Sequence, residues 1–352
     1  MKIIYGLSGQ GFGHSTRCHP TITHLLKAGH DVRIYTYGQS LFMLEKDFGD
    51  RIFEIPGFTL SYQKNKLVYW KTILDNAKKI IGHGRQFKKI KTDFDAFSPD
   101  LIITDFEPIT AFLAKTAKRP LISIDNQHQL TKTEVLLDNK KYLKDLIADK
   151  IVIKSMVWGA DYYLVTSFFT TLPKNNKTFM FPPIIREDVL GLPTSCGDYV
   201  LVYEGANFEH LLPLLKKSAG KFVVVGPHRD GQDGNIIYHK FSTGEWLDLL
   251  KDAKAVIGTA GLSLLGECVY LKKPYFALPI CQQVEQIINA EYLERLGYGD
   301  FSLDLKQTEL DDFLANLERY QANLNQDCPS GNTLLFGKLD ELIKKLGQKS
   351  QS

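Results

Sequence analysis

Apolar residues in the first half of the chain fall into short, near-continuous runs, separated by stretches of helical length with polar starts. The runs Lys2–Ser8, Asp31–Tyr37, Arg51–Pro56, Asp100–Asp105, Pro120–Asp125 and Tyr162–Ser167 read as strands buried on both faces, as in a parallel sheet. Ser15–Lys27 and Pro108–Lys118 are among the intervening helices. The rhythm breaks at Phe181-Pro182-Pro183-Ile184-Ile185-Arg186, where adjacent prolines force an extended path and mark a linker. It restarts with Tyr199–Glu204, Lys221–Gly226, Asn235–Lys240, Ala255–Thr259 and Pro274–Pro279 as strands, and Asn332–Gly347 closes the chain as an amphipathic helix. Such alternation predicts an α/β protein with two doubly wound parallel-sheet domains, 1–182 and 187–330, and a terminal helix, 331–352, able to pack back on the first.

At 352 residues the chain is long enough for two full cores, and its 44% hydrophobic and 24% charged content is that of a soluble globular protein. No apolar run reaches the roughly 18–20 residues that span a bilayer, and the N-terminus enters a strand without a signal-peptide h-region. Cys18, Cys196, Cys268, Cys281 and Cys328 are odd in number and show no C-x-x-C spacing. Reduced thiols in the cytosol and no zinc site are the expectation. Net charge is +3, yet Lys64 to Lys91 carries nine Lys/Arg against the single acid Asp75, so the rest of the chain is net negative. From Leu67 to Phe87, Trp70, Ile73, Leu74, Ala77, Ile80 and Ile81 recur at helical spacing among those cations. A cationic amphipathic helix of this kind lies on an anionic membrane surface or packs as an ordinary helix with a solvated face. So localised a charge argues against a general nucleic-acid binder.

Two glycine-marked turns stand at strand ends, where an α/β sheet presents backbone N–H groups to a ligand. The first is Ser8-Gly9-Gln10-Gly11-Phe12-Gly13-His14. His14 replaces the third glycine of the dinucleotide fingerprint, and the second strand ends Tyr35-Thr36-Tyr37-Gly38 with no acid for a ribose diol, so hydride chemistry is disfavoured. A helix N-terminus disfavours a protonated imidazole, which suits His14 as a general base for a hydroxyl; the plainer reading is a residue that caps or packs the turn. Asp105, at the end of the fourth strand, either orients His14 or caps the helix that starts at Pro108. Asp125-Asn126-Gln127-His128-Gln129 is a second strand end dense in hydrogen-bonding groups, with Asn126 and His128 as candidate acceptor contacts.

The second turn is Thr259-Ala260-Gly261-Leu262, followed by Glu267 six residues past Gly261, too far along the helix to be a simple cap. A carboxylate there can accept from both hydroxyls of a ribose. Beyond Pro279, Glu285, Gln286 and Asn289 offer the donors and acceptors that sugar hydroxyls need, with Glu285 and Asn289 on one helix face. Asp93-Phe94-Asp95 has D-x-D form but follows a lysine-rich helix and reads as solvated surface, not a metal site.

With Gly261, Glu267, Pro274, Pro279, Glu285-Gln286, Asn289-Ala290 and Leu296-Gly297-Tyr298-Gly299 in one half and Gly9-x-Gly11-x-Gly13-His14 in the other, the chain resembles the GT-B glycosyltransferases. The MurG-like and UDP-glucuronosyltransferase-like branches are the nearest in motif. The resemblance covers both halves in the expected order. It implies two Rossmann-like domains facing a cleft, and an inverting, metal-independent transfer of sugar from a nucleotide-sugar donor, UDP-linked, to a hydroxyl acceptor, lipid-linked or of the cell envelope. It assigns Glu267 to the donor ribose, the amides around Ala260, Gly261 and Leu262 to the donor diphosphate, and Glu285 and Gln286 to the donor sugar. His14 would be the base and Asp105 its partner, with no cofactor beyond the donor. Thr259 departs from the pattern, standing where those branches have histidine or arginine, so the diphosphate would rely on backbone, the Thr259 hydroxyl or another cation. A non-hydrolysing sugar-nucleotide epimerase shares the two-domain fold but needs several carboxylates and a cationic clamp. A non-catalytic receptor for nucleotide sugars or anionic lipid would bind without turnover.

Overall fold

The computed structural model describes residues 1–57, 62–63, 66–67, 84–203, 208–226, 230–280, 283–325 and 329–349. The chain forms two compact units: one is 1–135, 141–186 and 330–352, the other 136–140 and 187–329.

The first unit is built on seven strands: β1 (Lys2–Leu7), β2 (Asp31–Thr36), β3 (Ile52–Glu54), β4 (Leu101–Asp105), β5 (Leu121–Asp125), β6 (Tyr162–Thr166) and β7 (Thr178–Phe181). They lie in the order β3-β2-β1-β4-β5-β6-β7, all parallel. The order reverses at β1, so the crevice between the C-terminal ends of β1 and β4 is the topological switch point, where open α/β sheets place their ligands. Every residue of β4 and β5 is buried, as the unbroken apolar runs require. Helix α1 (Phe12–Lys27) follows β1 directly and packs its Cys18, Ile22 and Leu25 into a core shared with Ile3, Tyr5 and Leu7.

The second unit repeats the plan with β8 (Tyr199–Tyr203), β9 (Lys221–Gly226), β10 (Gly231–Asp233), β11 (Ile236–Lys240), β12 (Ala255–Gly258), β13 (Tyr275–Ala277) and β14 (Gly299–Phe301). Their order is β10-β11-β9-β8-β12-β13-β14, parallel except for the antiparallel edge strand β10. Helices α2 (Leu262–Tyr270) and α3 (Val284–Arg295) follow β12 and β13. Asp138 and Asn139 belong here because their amides donate to the Glu291 carboxylate on α3 at 2.9 and 3.1 Å.

Strands β7, β10 and β14 are absent from the sequence reading. Each has three or four residues at or beside a sheet edge, and Gly231-Gln232-Asp233 is exposed throughout, so none carries a buried apolar run. The double-proline segment is stitched to the returning chain: Gly331 N–H donates to the Pro183 carbonyl at 2.8 Å, and Asn332 bridges both backbone groups of Ile185. Helix α4 (Asn332–Lys349) then sets Leu335, Leu339, Leu342, Ile343 and Leu346 into the first unit's core. His24 of α1 is fastened to Asp340 at 2.9 Å.

Most of the lysine-rich amphipathic stretch, 68–83, lies outside the described residues, as does 204–207 of the first loop of the second unit. Leu67, expected to open that helix, is instead in a two-residue strand, Lys66–Leu67, paired with Tyr62–Gln63. The helix Gly84–Phe97 buries Ile90, Phe94 and Phe97.

Candidate functional site

The first glycine turn is shaped by two close approaches. A Cβ on Gly9 would sit 1.9 Å from the Tyr37 carbonyl oxygen, so only glycine lets the loop lie against the end of β2. Gly11 has φ +75, in the left-handed region, and is the N-cap of α1; its N–H donates to Gln39 Oε1 at 2.8 Å. His14 is therefore the third residue of α1 and not its cap. The pairing of β1 with β4 sets Leu7 opposite Asp105, which carries the aspartate to the start of α1. There His14 Nδ1 meets Asp105 Oδ1 at 2.9 Å. The cap of the helix Pro108–Thr116 is Glu107, whose carboxylate accepts from the amides of Ile109 and Thr110, leaving Asp105 to the ring.

Asp105 has a second partner that the sequence reading missed. Arg17, one turn beyond His14 on α1, is buried with its guanidinium against the same carboxylate. Its Nε donates to Oδ2 at 2.6 Å and its Nη2 to Oδ1, while Nη1 donates to Asn126 Oδ1 at 2.5 Å. Cys18 Sγ donates to Asp105 Oδ2 at 2.8 Å. Burial by itself would raise the Asp105 pKa, but the Arg17 guanidinium and then His14 outweigh it and hold the carboxyl well below the usual range. Asp105 is a carboxylate throughout the working pH range. The same pairing raises Arg17, against its own burial. The Cys18 thiol is pushed up, chiefly by burial and then by Asp105, which leaves it a neutral donor. The i, i+3 spacing of His14 and Arg17 puts them on one helix face, the one signal by which the sequence points to Arg17.

Of the second rim segment, Asn126 joins this network through Arg17, and Gln127 Oε1 lies 3.4 Å from Arg17 Nη2. His128 does not reach the rim. It is 1% exposed, with Nδ1 at 2.7 Å from Asp125 Oδ2, Nε2 at 3.3 Å from the Val157 carbonyl and its ring against Tyr163. Both ring nitrogens are engaged, so this histidine pins β5 to the residues after it and offers a ligand no polar atom, contrary to the sequence expectation.

In the second unit the chain leaves β12 through Thr259-Ala260-Gly261, and Gly261 is the N-cap of α2 with no side chain capping the helix. The leading N–H groups of a helix lack intrahelical partners, and they gather positive potential. Two buried side chains hold the turn from behind: Tyr275 donates to the Thr259 carbonyl at 2.7 Å, and Asn289 Nδ2 to the Ala260 carbonyl at 2.9 Å. Asn289 is thus joined to the turn as a brace. Gln286 is likewise committed locally, accepting from the Ile280 N–H at 3.0 Å and donating to Gln283 Oε1 at 2.6 Å. Glu267 is buried in the second turn of α2, and Glu285 is half-buried in the first turn of α3. A Cβ at Gly261 would meet nothing nearer than Thr259 Oγ1 at 3.9 Å, so a ligand can approach the backbone there.

Asp95 of the D-x-D sequence is exposed and pairs with Lys91 at 2.6 Å on the helix Gly84–Phe97. No described helix is long and apolar enough to cross a membrane.

The glycosyl transferase family 1 model matches residues 1–318. A glycosyltransferase of Methanosarcina mazei is 26% identical over 345 residues, covering 85% of each chain. A UDP-N-acetylglucosamine--N-acetylmuramyl-(pentapeptide) pyrophosphoryl-undecaprenol N-acetylglucosamine transferase of Clostridium botulinum (strain Hall) is 40% identical over 104 residues, 28% of each chain. Among solved structures, the spinosyn rhamnosyltransferase SpnG complexed with thymidine diphosphate superposes with a TM-score of 0.68 at 14% identity, over 97% of this chain and 100% of that one. Acinetobacter baumannii MurG does so with a TM-score of 0.61 at 14% identity, over 97% and 99%.

Proposed function

The chain belongs to glycosyl transferase family 1 and is a glycosyltransferase of the GT-B fold, and on that premise we propose that it is an inverting, metal-independent enzyme in which His14 is the general base. The observation that carries this reading is the contact between His14 Nδ1 and Asp105 Oδ1, with Asp105 held as a carboxylate at the switch point of the first sheet. With Nδ1 donating to this acceptor-only oxygen, Nε2 carries the lone pair. Nε2 takes the proton of an acceptor hydroxyl as its oxygen attacks the anomeric carbon. The new C–O bond forms on the face opposite the nucleoside diphosphate, and the bond to the diphosphate oxygen breaks with its electron pair. In this proposal the donor diphosphate binds at the uncapped N-terminus of α2, whose amides stabilise the departing oxygens.

The donor in this proposal is a nucleotide sugar, UDP-linked. Support comes from the partial relatives whose names specify UDP-N-acetylglucosamine, while two structural neighbours carry thymidine or dTDP nucleotides. Glu267 takes the ribose, and Glu285 with Gln286 the sugar. The acceptor is a lipid-linked hydroxyl compound reached at an anionic membrane surface. Local charge between Lys64 and Lys91 supports this, as do Phe112 and Trp158, exposed apolar residues in ring contact at 6.5 Å on the first unit.

Incubation with a panel of UDP-, dTDP- and GDP-sugars, scoring released nucleoside diphosphate with and without polyprenyl-phosphate-linked sugars, tests the reading. Acceptor-dependent release from a UDP-sugar is the expected result. Release only from dTDP- or GDP-sugars replaces the donor, and release that persists in H14A removes the base.

A further inference from the structure

Resting on the reading of His14 as the base, we propose that Arg17 is its positioning residue. It clamps the Asp105 carboxylate so that His14 is held in a single tautomer with Nε2 outward, and its charge offsets that of Asp105 at the ring.

Three groups converge on one point: His14 Nδ1 lies 2.9 Å from Asp105 Oδ1 and 2.9 Å from Arg17 Nη2, and Nη2 also contacts Oδ1. If Nδ1 were bare, its lone pair would face a carboxylate oxygen. With Nδ1 protonated, that contact becomes donor to acceptor. The two hydrogens of Nη2 then go to Asp105 Oδ1 and toward Gln127 Oε1. Arg17 Nη2 can only donate, so its 2.9 Å approach to a protonated Nδ1 makes no hydrogen bond; the tautomer rests on the contact with Asp105, whose carboxylate Arg17 grips by both oxygens. A guanidinium fork does that and still reaches Asn126, which no single-point cation can.

The charges at the ring are paired as well: the buried Asp105 carboxylate lies 2.9 Å from Nδ1. Arg17 supplies the opposing charge at the same distance from Nδ1. The other ionisable groups around this knot leave the balance to these two. Cys18 on α1 and Tyr5 on β1 are both raised by burial and remain neutral. Asp125, at the end of β5, acts on Arg17 from a distance but is itself committed to His128 and to Ser123.

The test reads the ring directly and pairs that signal with steady-state kinetics. In protein carrying ¹⁵N-histidine, with the His14 signals identified by their loss in H14A, the wild-type spectrum should show one Nδ1–H tautomer. In R17M, which removes both the fork and the charge, the two tautomers should mix. In R17K, which keeps the charge but not the fork, the tautomers should mix and kcat fall with donor KM unchanged. A single Nδ1–H tautomer retained in R17M overturns the proposal. So does a single Nδ1–H tautomer with full turnover in R17K, a variant that remains informative if R17M does not fold. Failure of the transferase mechanism would appear separately, as absent nucleotide release with these ring signals as expected.

Discussion

His14 and Asp105, 91 residues apart in the chain, meet at 2.9 Å because β4 pairs with β1 in the register that sets Asp105 beside Leu7. The ring is 13% exposed in its side chain and the carboxylate 1%, so the pair has a wet side and a dry side. A proton can reach the ring from one face while the charge that orients it stays screened from water on the other.

On the proposed mechanism, replacing His14 with alanine removes the proton acceptor and changes no residue of the second unit. Turnover should fall by about 10²–10⁴-fold, with the donor KM unchanged. Steady-state kinetics with the nucleotide sugar that scores in the panel measures both, and a parallel rise in donor KM would place His14 in donor binding instead.

Asp105 is also a stability element. Substituting alanine leaves the buried Arg17 guanidinium without its counter-ion, which should cost about 3–5 kcal/mol in urea unfolding. Its folded pKa is depressed, so its contribution is fully present above the unfolded value of about 3.9 and is lost as pH falls below that. Wild-type stability should therefore drop more steeply between about pH 4 and pH 2 than that of D105N. Equal slopes would show that the pair does not couple to folding.

Asn289 braces the turn at Ala260, the proposed donor-diphosphate site, from within. The variant N289A strips the buried Ala260 carbonyl of its partner, with an expected loss of about 1–3 kcal/mol. Because that carbonyl belongs to the turn opening α2, donor KM should rise while kcat with saturating donor changes little. A stability loss with unaltered donor KM would separate the brace from the binding site.

Gly9 and Gly11 should respond differently to alanine. At Gly9 the new Cβ would fall on the Tyr37 carbonyl, forcing the loop away from β2 and displacing the start of α1. At Gly11 the space is open and only the positive φ is penalised, by about 1 kcal/mol. Thermal unfolding should rank G9A well below G11A, and activity should be lost only in G9A.

The proposed membrane contact is read by co-sedimentation with vesicles. Binding to vesicles containing phosphatidylglycerol should weaken as salt is raised from about 0.05 to 0.5 M and be lost when Lys71, Lys78, Lys79, Lys88 and Lys89 are changed to Gln. Salt-insensitive binding, or none to anionic vesicles, would remove the electrostatic docking.

The order of strands and helices is legible in the residue pattern because a parallel strand buried on both faces must be a run of apolar residues, and a helix start must be polar or glycine-marked. That is why β4 and β5 and both glycine turns stand out, and why His14 and Asp105 can be singled out from their places at strand ends. Strand β10 could not be, since three exposed residues at an edge owe their conformation to pairing with β11.

By itself, then, the sequence determined the α/β class, the two turns and the candidate pair, all of which follow from local periodicity and backbone chemistry. Tertiary structure alone decided the partners. Arg17 joins Asp105, Asn289 braces Ala260, His128 is drawn into the interior against the Val157 carbonyl, and α4 returns to the first unit's core. These are contacts between residues tens to hundreds of positions apart, set by strand register and packing, and no local period encodes which buried polar group will satisfy which.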